Sequence, residues 1–430
     1  MQQGVKMSLL LKNCKVIEDG NTILRNILIS EGKIISIISE NSGNSDEINC
    51  EKVIDCNNKL VLPGLIDPHV HFREPGMEHK EDFLSGSCAA AAGGITTVLD
   101  MPNTNPPTFT LSDLENKKNL AMKSIVNFGF YFGASADDNI MEIKKAFDSG
   151  NVAAVKVYMN DTTGNLLITD NLLLEKIFET AKISEKVVAV HAEGEMVKKA
   201  VELAKKCGNK LYLCHISTKE EIDYINTNKT NGNDNTLFVE VSPHHLFLTE
   251  EDDNGAFTKM KPVLKTINNQ QALFDAVNSG VVDVIGTDHA PHTLEEKREI
   301  NYPYGVPGCE TVLPLLLNAV NEGRISLKKV QELCCENPAK IFGIKNKGFI
   351  KEGYDADLVI LDLEMERIVE NEKLFTKCKW SPFAGKKLKG WPIMTIVNGN
   401  IVYSYSNSEG HEKIVLNKDY KGKEVIYNVR

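Results

Sequence analysis

Four histidines, one lysine and one aspartate stand at or near the ends of apolar runs in this chain. His69 and His71 are two apart in "GLIDPHVHF", so on a strand both imidazoles face the same way. Imidazole nitrogen suits zinc and similar divalent ions. The pair alone carries little weight, because two such histidines on a strand are more often plain surface or core. His191 in "KVVAVHAEG", His215 in "KLYLCHIST" and Asp288 in "VVDVIGTDHAPH" add a second neutral pair and an anion. Lys156 lies among Ala and Val in "AAVKVYMN", where a bare buried ammonium is costly. It either snorkels from a strand end or is a neutral amine that has taken up CO2. We favour the carbamate: it brings one negative charge and two oxygens, enough to bridge two metals, and four histidines and one aspartate otherwise leave no bridging anion. Asp161 is the substitute bridge. Two metals sharing a hydroxide make a strong nucleophile at neutral pH. Asp288, touching that hydroxide, could take its proton and pass it to a leaving nitrogen.

The elements that must position these groups alternate. From about Pro63 to about Gly343 the strands read "GLIDPHVHF", "ITTVLDMPN", "NFGFYFGAS", "AAVKVYMN", "KVVAVHAEG", "KLYLCHIST", "LFVEVSPHHL" and "VVDVIGTDHAPH". Helical stretches separate them, such as "EGEMVKKAVELAKKCG", closed by Gly208. Eight such units suggest an α/β chain with a (β/α)8 barrel. An open doubly wound sheet also alternates, but no GxGxxG follows the first strand. The polar residues decide between them, because barrels gather such groups at the C-terminal strand ends. Asn103, ending the second strand, joins the same mouth. Both chain ends read as short strands, one folded on the Asn-Gly of "MTIVNGNIVYS". The expected division is a barrel over residues 63–343 and a small β-domain composed of 1–62 and 344–430.

A length of 430 residues suits a barrel plus a smaller domain, and 42% hydrophobic with 25% charged residues is ordinary for a globular chain. The net charge of −10 leaves no basic footprint for nucleic acid. An anionic substrate would therefore need local cations. The ten cysteines form no CxxC pair, no signal peptide opens the chain and no apolar stretch is long enough to span a bilayer. A cytoplasmic protein with free thiols and no membrane partner is expected.

The motifs "DPHVHFREPG", "MPNTNPP", "VKVYMN", "HAEG", "CHIST", "SPHHL", "GTDHAPHTLEEK", "GVPGCETVLPLLL" and "ENPAKIFGI" follow in this order. From about Leu9 to about Tyr403 they closely resemble the dihydroorotases of the amidohydrolase superfamily. The resemblance implies a distorted (β/α)8 TIM barrel with a composite β-sandwich domain from both termini. It also implies two zinc ions: one on His69, His71, N6-carboxylated Lys156 and Asp288, the other on the same carbamate, His191 and His215. The implied reaction is reversible hydrolysis of dihydroorotate to carbamoyl aspartate in pyrimidine synthesis. Arg73, two residues past His71, offers a fork for the substrate carboxylate. Asn103 can add a donor, and His292 a further contact. Pro307 and Gly308 match a loop that meets the pyrimidine ring, and Thr162 a mobile loop over substrate, hinged at Gly164.

Lys261 departs from the arginine or asparagine of many relatives, keeping a charge but losing the fork. The tail from about Ser404 has no clear counterpart. His244 and His245 are read as supporting residues, His79 and His411 as solvated, His289 as pointing away from Asp288, Trp380 as packing and "TLEEKREI" as a solvated face. The rivals are allantoinase and dihydropyrimidinase, whose substrates lack the ring carboxylate that Arg73 would hold, and a non-catalytic scaffold, which the six intact ligand positions disfavour. Oligomeric state and association with another pyrimidine-pathway enzyme are left open.

Overall fold

A computed structural model describes residues 8–39, 50–161, 166–230, 236–408 and 411–428. The barrel strands are Leu65–Val70, Ile95–Asp100, Asn127–Phe130 continued by Phe132–Gly133, Ala154–Tyr158, Val187–His191, Lys210–Leu213, Leu237–Val241 and Val284–Ile285. All neighbouring pairs are parallel. Their runs are buried almost throughout, as expected of strands covered on both faces. The outer helices show the complementary pattern. Glu195–Cys207 turns Val197, Ala200, Val201 and Ala204 inward and ends on Gly208 at φ 73°.

The strand ladders form two arcs of three and six strands. They meet at the break in the third strand, where Ala153 N donates to Phe130 O at 2.9 Å. On the other side, Val70 bridges to His289 and His71 N donates to His289 O at 2.9 Å.

The β-sandwich domain draws on both chain ends. Its path runs His411–Leu416, Asn400–Ser408, Lys387–Val397, Leu358–Ile368, Leu60–Pro63, Ser8–Glu18, Asn21–Ser30 and Lys33–Ser39, with Lys52–Asp55 added beside Ser8–Glu18. The Asn-Gly hairpin forms as expected: Val397 faces Asn400, and Asn398 and Gly399 sit at φ 45° and 77°. Among the described residues, no helix is long and apolar enough to cross a membrane.

The tail adds the strand His411–Leu416, as a strand-bearing tail would, and then does more. After the strand His411–Leu416 it runs beneath the barrel, where Phe128 N donates to Lys423 O at 3.0 Å and Val425 N to Phe128 O at 2.8 Å. Val425 and Tyr427 join the interior cluster of Ile66, Leu99, Tyr131 and Tyr212. Gly129 makes room for them: a Cβ there would lie 2.3 Å from Tyr427 Oη. Tyr427→Ala is therefore expected to destabilise the fold by about 3–5 kcal/mol, read from urea unfolding. A loss under about 0.5 kcal/mol, the usual effect of a surface change, would show the tail to be dispensable.

One surface expectation is corrected. In "TLEEKREI", Lys297 is buried, donates to Pro303 O at 2.8 Å and lies over the Trp380 ring. Its stem fills apolar space, and its ammonium finds a carbonyl instead of water.

Candidate metal centre and active site

The strand ends converge. His69 lies in Leu65–Val70, with His71 just past it. His191 ends Val187–His191, and His215 follows Lys210–Leu213 by two residues. Lys156 sits inside Ala154–Tyr158, and Asp288 follows Val284–Ile285 by three. All six line one cavity, with Arg73, Asn103, Tyr158, Lys261, Ala290, Tyr304 and Gly305. Arg73, His215 and Asp288 hold φ of 67°, 36° and 48°, a left-handed backbone that side-chain-bearing residues seldom adopt outside constrained sites.

Asp288 Oδ1 lies 3.0 Å from His71 Nε2 and 3.3 Å from His69 Nε2. His191 Nδ1 and His215 Nε2 are 2.9 Å apart. His69 and His71 present Nε2 to the centre because their Nδ1 atoms are already taken. His69 Nδ1 meets Glu240 Oε1 at 2.7 Å, and His71 Nδ1 meets Asn103 Oδ1 at 2.6 Å. Such outward bonds fix the tautomer and aim the free nitrogen.

The electrostatics suit a cation. Burial pushes His191 down to about 3, and burial with the neighbouring His191 pushes His215 well below the usual imidazole range. Both shifts favour the neutral ring that a metal ligand must be. Burial opposes charge at His69 and Asp288 as well. Even so, Glu240 and Asp288 hold His69 well above its ordinary range, and His69 and His71 hold Asp288 well below the usual carboxylate range. The carboxylates thus call for positive charge at the centre, which a divalent ion would supply. His69, His215 and Asp288 offer ligand atoms all within 4.8 Å of one another. His191 Nε2 and His215 Nδ1 are buried without a hydrogen-bond partner among the described residues. The donor set fits divalent metal.

Lys156 is 1% exposed, and its Nζ meets Cys214 Sγ at 2.8 Å. Among the described residues, no carboxylate lies within ion-pair distance of it. Asp161 stands apart from the centre: its side chain is 80% exposed and pairs with Lys261 Nζ at 3.0 Å.

Arg73 is buried beside these groups. Its Nε donates to Pro291 O at 3.1 Å and its Nη2 lies 3.1 Å from His292 Nε2, with no carboxylate partner among the described residues. His292 is placed behind Arg73, off the cavity wall, and Trp380 Nε1 steadies it by donating to His292 O at 2.7 Å. Asn103 lines the cavity, but its carbonyl serves His71, which leaves its amide nitrogen to donate. Lys261 reaches the wall over the Tyr304 ring. Pro307 and Gly308 border a neighbouring small cavity with His289, while Tyr304 and Gly305 line the main one. His289 faces away from Asp288, and its Nδ1 accepts from Gly308 N at 3.1 Å. His245 Nε2 binds Pro262 O at 2.9 Å, also off the wall. Thr162 and Gly164 lie outside the described residues.

Sequence reasoning missed Tyr158, Tyr304 and Glu240. Glu240 carried a usable signal: a carboxylate inside the buried run "LFVEVSP" raises the same question as Lys156.

The Amidohydrolase family pattern matches residues 60–402. The chain is 36% identical to a dihydroorotase of Halobacterium salinarum, across 89% of this chain and 96% of that one. It is 40% identical to the multifunctional protein CAD of Squalus acanthias, across 81% of this chain and 15% of that protein. Among solved structures, the L-hydantoinase (dihydropyrimidinase) from Arthrobacter aurescens superposes with a TM-score of 0.89 at 29% identity, covering 97% of this chain and 99% of that one. The chain belongs to the amidohydrolase family, in the branch of the dihydroorotases.

Proposed function

We propose that this chain interconverts dihydroorotate and N-carbamoyl-L-aspartate in pyrimidine biosynthesis, using two zinc ions bridged by N6-carboxylated Lys156. The observation that carries the reading is Arg73: a buried guanidinium with no carboxylate partner among the described residues, facing the cavity beside the histidine cluster. An unpaired buried charge is costly, and a substrate carboxylate would complete it. The rings of allantoin and dihydrouracil carry no such group, so the same geometry weighs against the hydantoinase-type rivals.

His69, His71 and Asp288 would hold one ion and His191 and His215 the other, with the Lys156 carbamate shared. Bound there, the ions supply an activated water and polarise the ring carbonyl. The remaining work falls to the chain. Arg73 fixes the ring carboxylate, and the Asn103 amide donates beside it. Asp288 accepts the proton of the attacking oxygen and delivers it to the ring nitrogen as the C–N bond breaks. Lys261 would offer the substrate positive charge at the mouth only by leaving its pair with Asp161.

The deciding test assays dihydroorotate and carbamoyl aspartate in both directions, before and after metal removal, with allantoin and dihydrouracil as rival substrates. Arg73→Gln is expected to lower kcat/KM for dihydroorotate by about 1.5–3 kcal/mol, roughly 10- to 150-fold. Equal wild-type turnover of allantoin or dihydrouracil would overturn the assignment.

A further inference from the structure

We infer that Glu240 is a positioning residue that couples the two metal sites, so that disturbing this one carboxylate loosens both ions together. The inference rests on reading the histidine cluster as a two-metal centre. Glu240 lies in Leu237–Val241 and is fully buried. Its Oε1 accepts from His69 Nδ1 at 2.7 Å and from the backbone N of His215 at 2.9 Å. Its Oε2 accepts from Tyr212 Oη at 2.7 Å. One oxygen thus aims a histidine of the first site and pins the backbone that carries a histidine of the second. That backbone needs pinning, because His215 stands at φ 36°.

The surroundings are cut to fit this carboxylate. Gly286 faces it, and a Cβ there would lie 2.4 Å from Glu240 Oε2. The Glu240 oxygens bond to Tyr212, a backbone amide and His69, so the positive charge that balances them comes from the centre itself. A carboxylate behind an imidazole raises the basicity of that ligand, and losing such a partner typically weakens metal binding 10- to 100-fold. Asn103 provides the contrast. Among the described residues its side chain bonds His71 Nδ1, a residue of one site only.

The test is zinc binding, read by competition with a chromogenic chelator on the full-length protein, with no assay of turnover. The wild type is expected to hold two zinc ions in two resolved steps. Asn103→Ala should weaken one step and leave the other. Glu240→Ala should weaken both, each by about 10- to 100-fold. Glu240→Gln keeps an acceptor for His69 and His215 but removes the charge, so both steps should weaken in parallel by a smaller factor. Gly286→Ala, which displaces the carboxylate without altering a ligand, should follow Glu240→Gln. If Glu240→Ala does not fold, the latter two variants decide. Two zinc ions in the wild type with one step weakened in the Glu240 variants, or neither, overturns the coupling alone. A wild type that holds no zinc overturns the two-metal reading and the coupling with it.

Discussion

Asp288→Asn is expected to lower kcat by about 10³-fold or more, about 4 kcal/mol, in both directions, while KM changes little. The asparagine keeps the size of the side chain and an oxygen within reach of His69 and His71, so the geometry of the centre survives. What disappears is a group that can hold a proton between two steps. In hydrolysis the proton leaves the attacking oxygen and must arrive on the ring nitrogen. In ring closure it makes the reverse journey through the same atom, so neither direction escapes the loss. In the proposed reading Arg73 would hold the substrate carboxylate independently of this transfer, so binding should be spared. Steady-state rates in both directions, with zinc content measured on the same samples, check the prediction. A kcat within tenfold of the wild type, with metal retained, would remove Asp288 from proton transfer.

The residues that end strands were legible in the sequence because strand ends are cheap to recognise. A histidine or aspartate closing an apolar run needs a reason, and His69, His191, His215 and Asp288 share one. Barrel order followed from the alternation of runs, since strands buried on both faces leave unbroken apolar text. Three features escaped for different physical reasons. His292, which backs Arg73, is itself held by Trp380 from a segment far along the chain, and no local pattern announces such a contact. Tyr304 and Gly305 take the wall where Pro307 and Gly308 were expected, because a loop's register against a cavity depends on its backbone path. The tail beneath the barrel reads as polar, and only Val425 and Tyr427 at alternate positions hint at a buried face. Glu240 belongs to another class. It was legible by the rule that singled out Lys156, and applying that rule to every charged residue in a buried run would have found it.

Lys156→Ala is expected to cost at least about 10⁴-fold in kcat, about 5.5 kcal/mol, and to release zinc. Two ions would need a bridging group, and few of the described residues could supply one. Asp161, the alternative, is mostly exposed at the rim and pairs with Lys261. Asp161→Asn should therefore change kcat less than tenfold, about 1.4 kcal/mol. Glu240 is fully buried but already accepts from three donors, so its oxygens are spoken for. That leaves Lys156, buried in the cavity wall with no carboxylate partner among the described residues. If it bears a carbamate, native mass spectrometry of the wild type should show the sequence mass plus bound zinc plus one CO2. Acid unfolding should remove both additions together. Metal-free protein refilled with zinc in CO2-depleted buffer should regain activity only when bicarbonate is restored, and a small carboxylic acid should return part of the activity of Lys156→Ala by standing in for the missing bridge. Zinc-loaded, fully active protein carrying an unmodified Lys156 would refute the carbamate. The centre would then need a bridge from solvent, and the buried lysine would be left with Cys214 as its only close polar contact among the described residues.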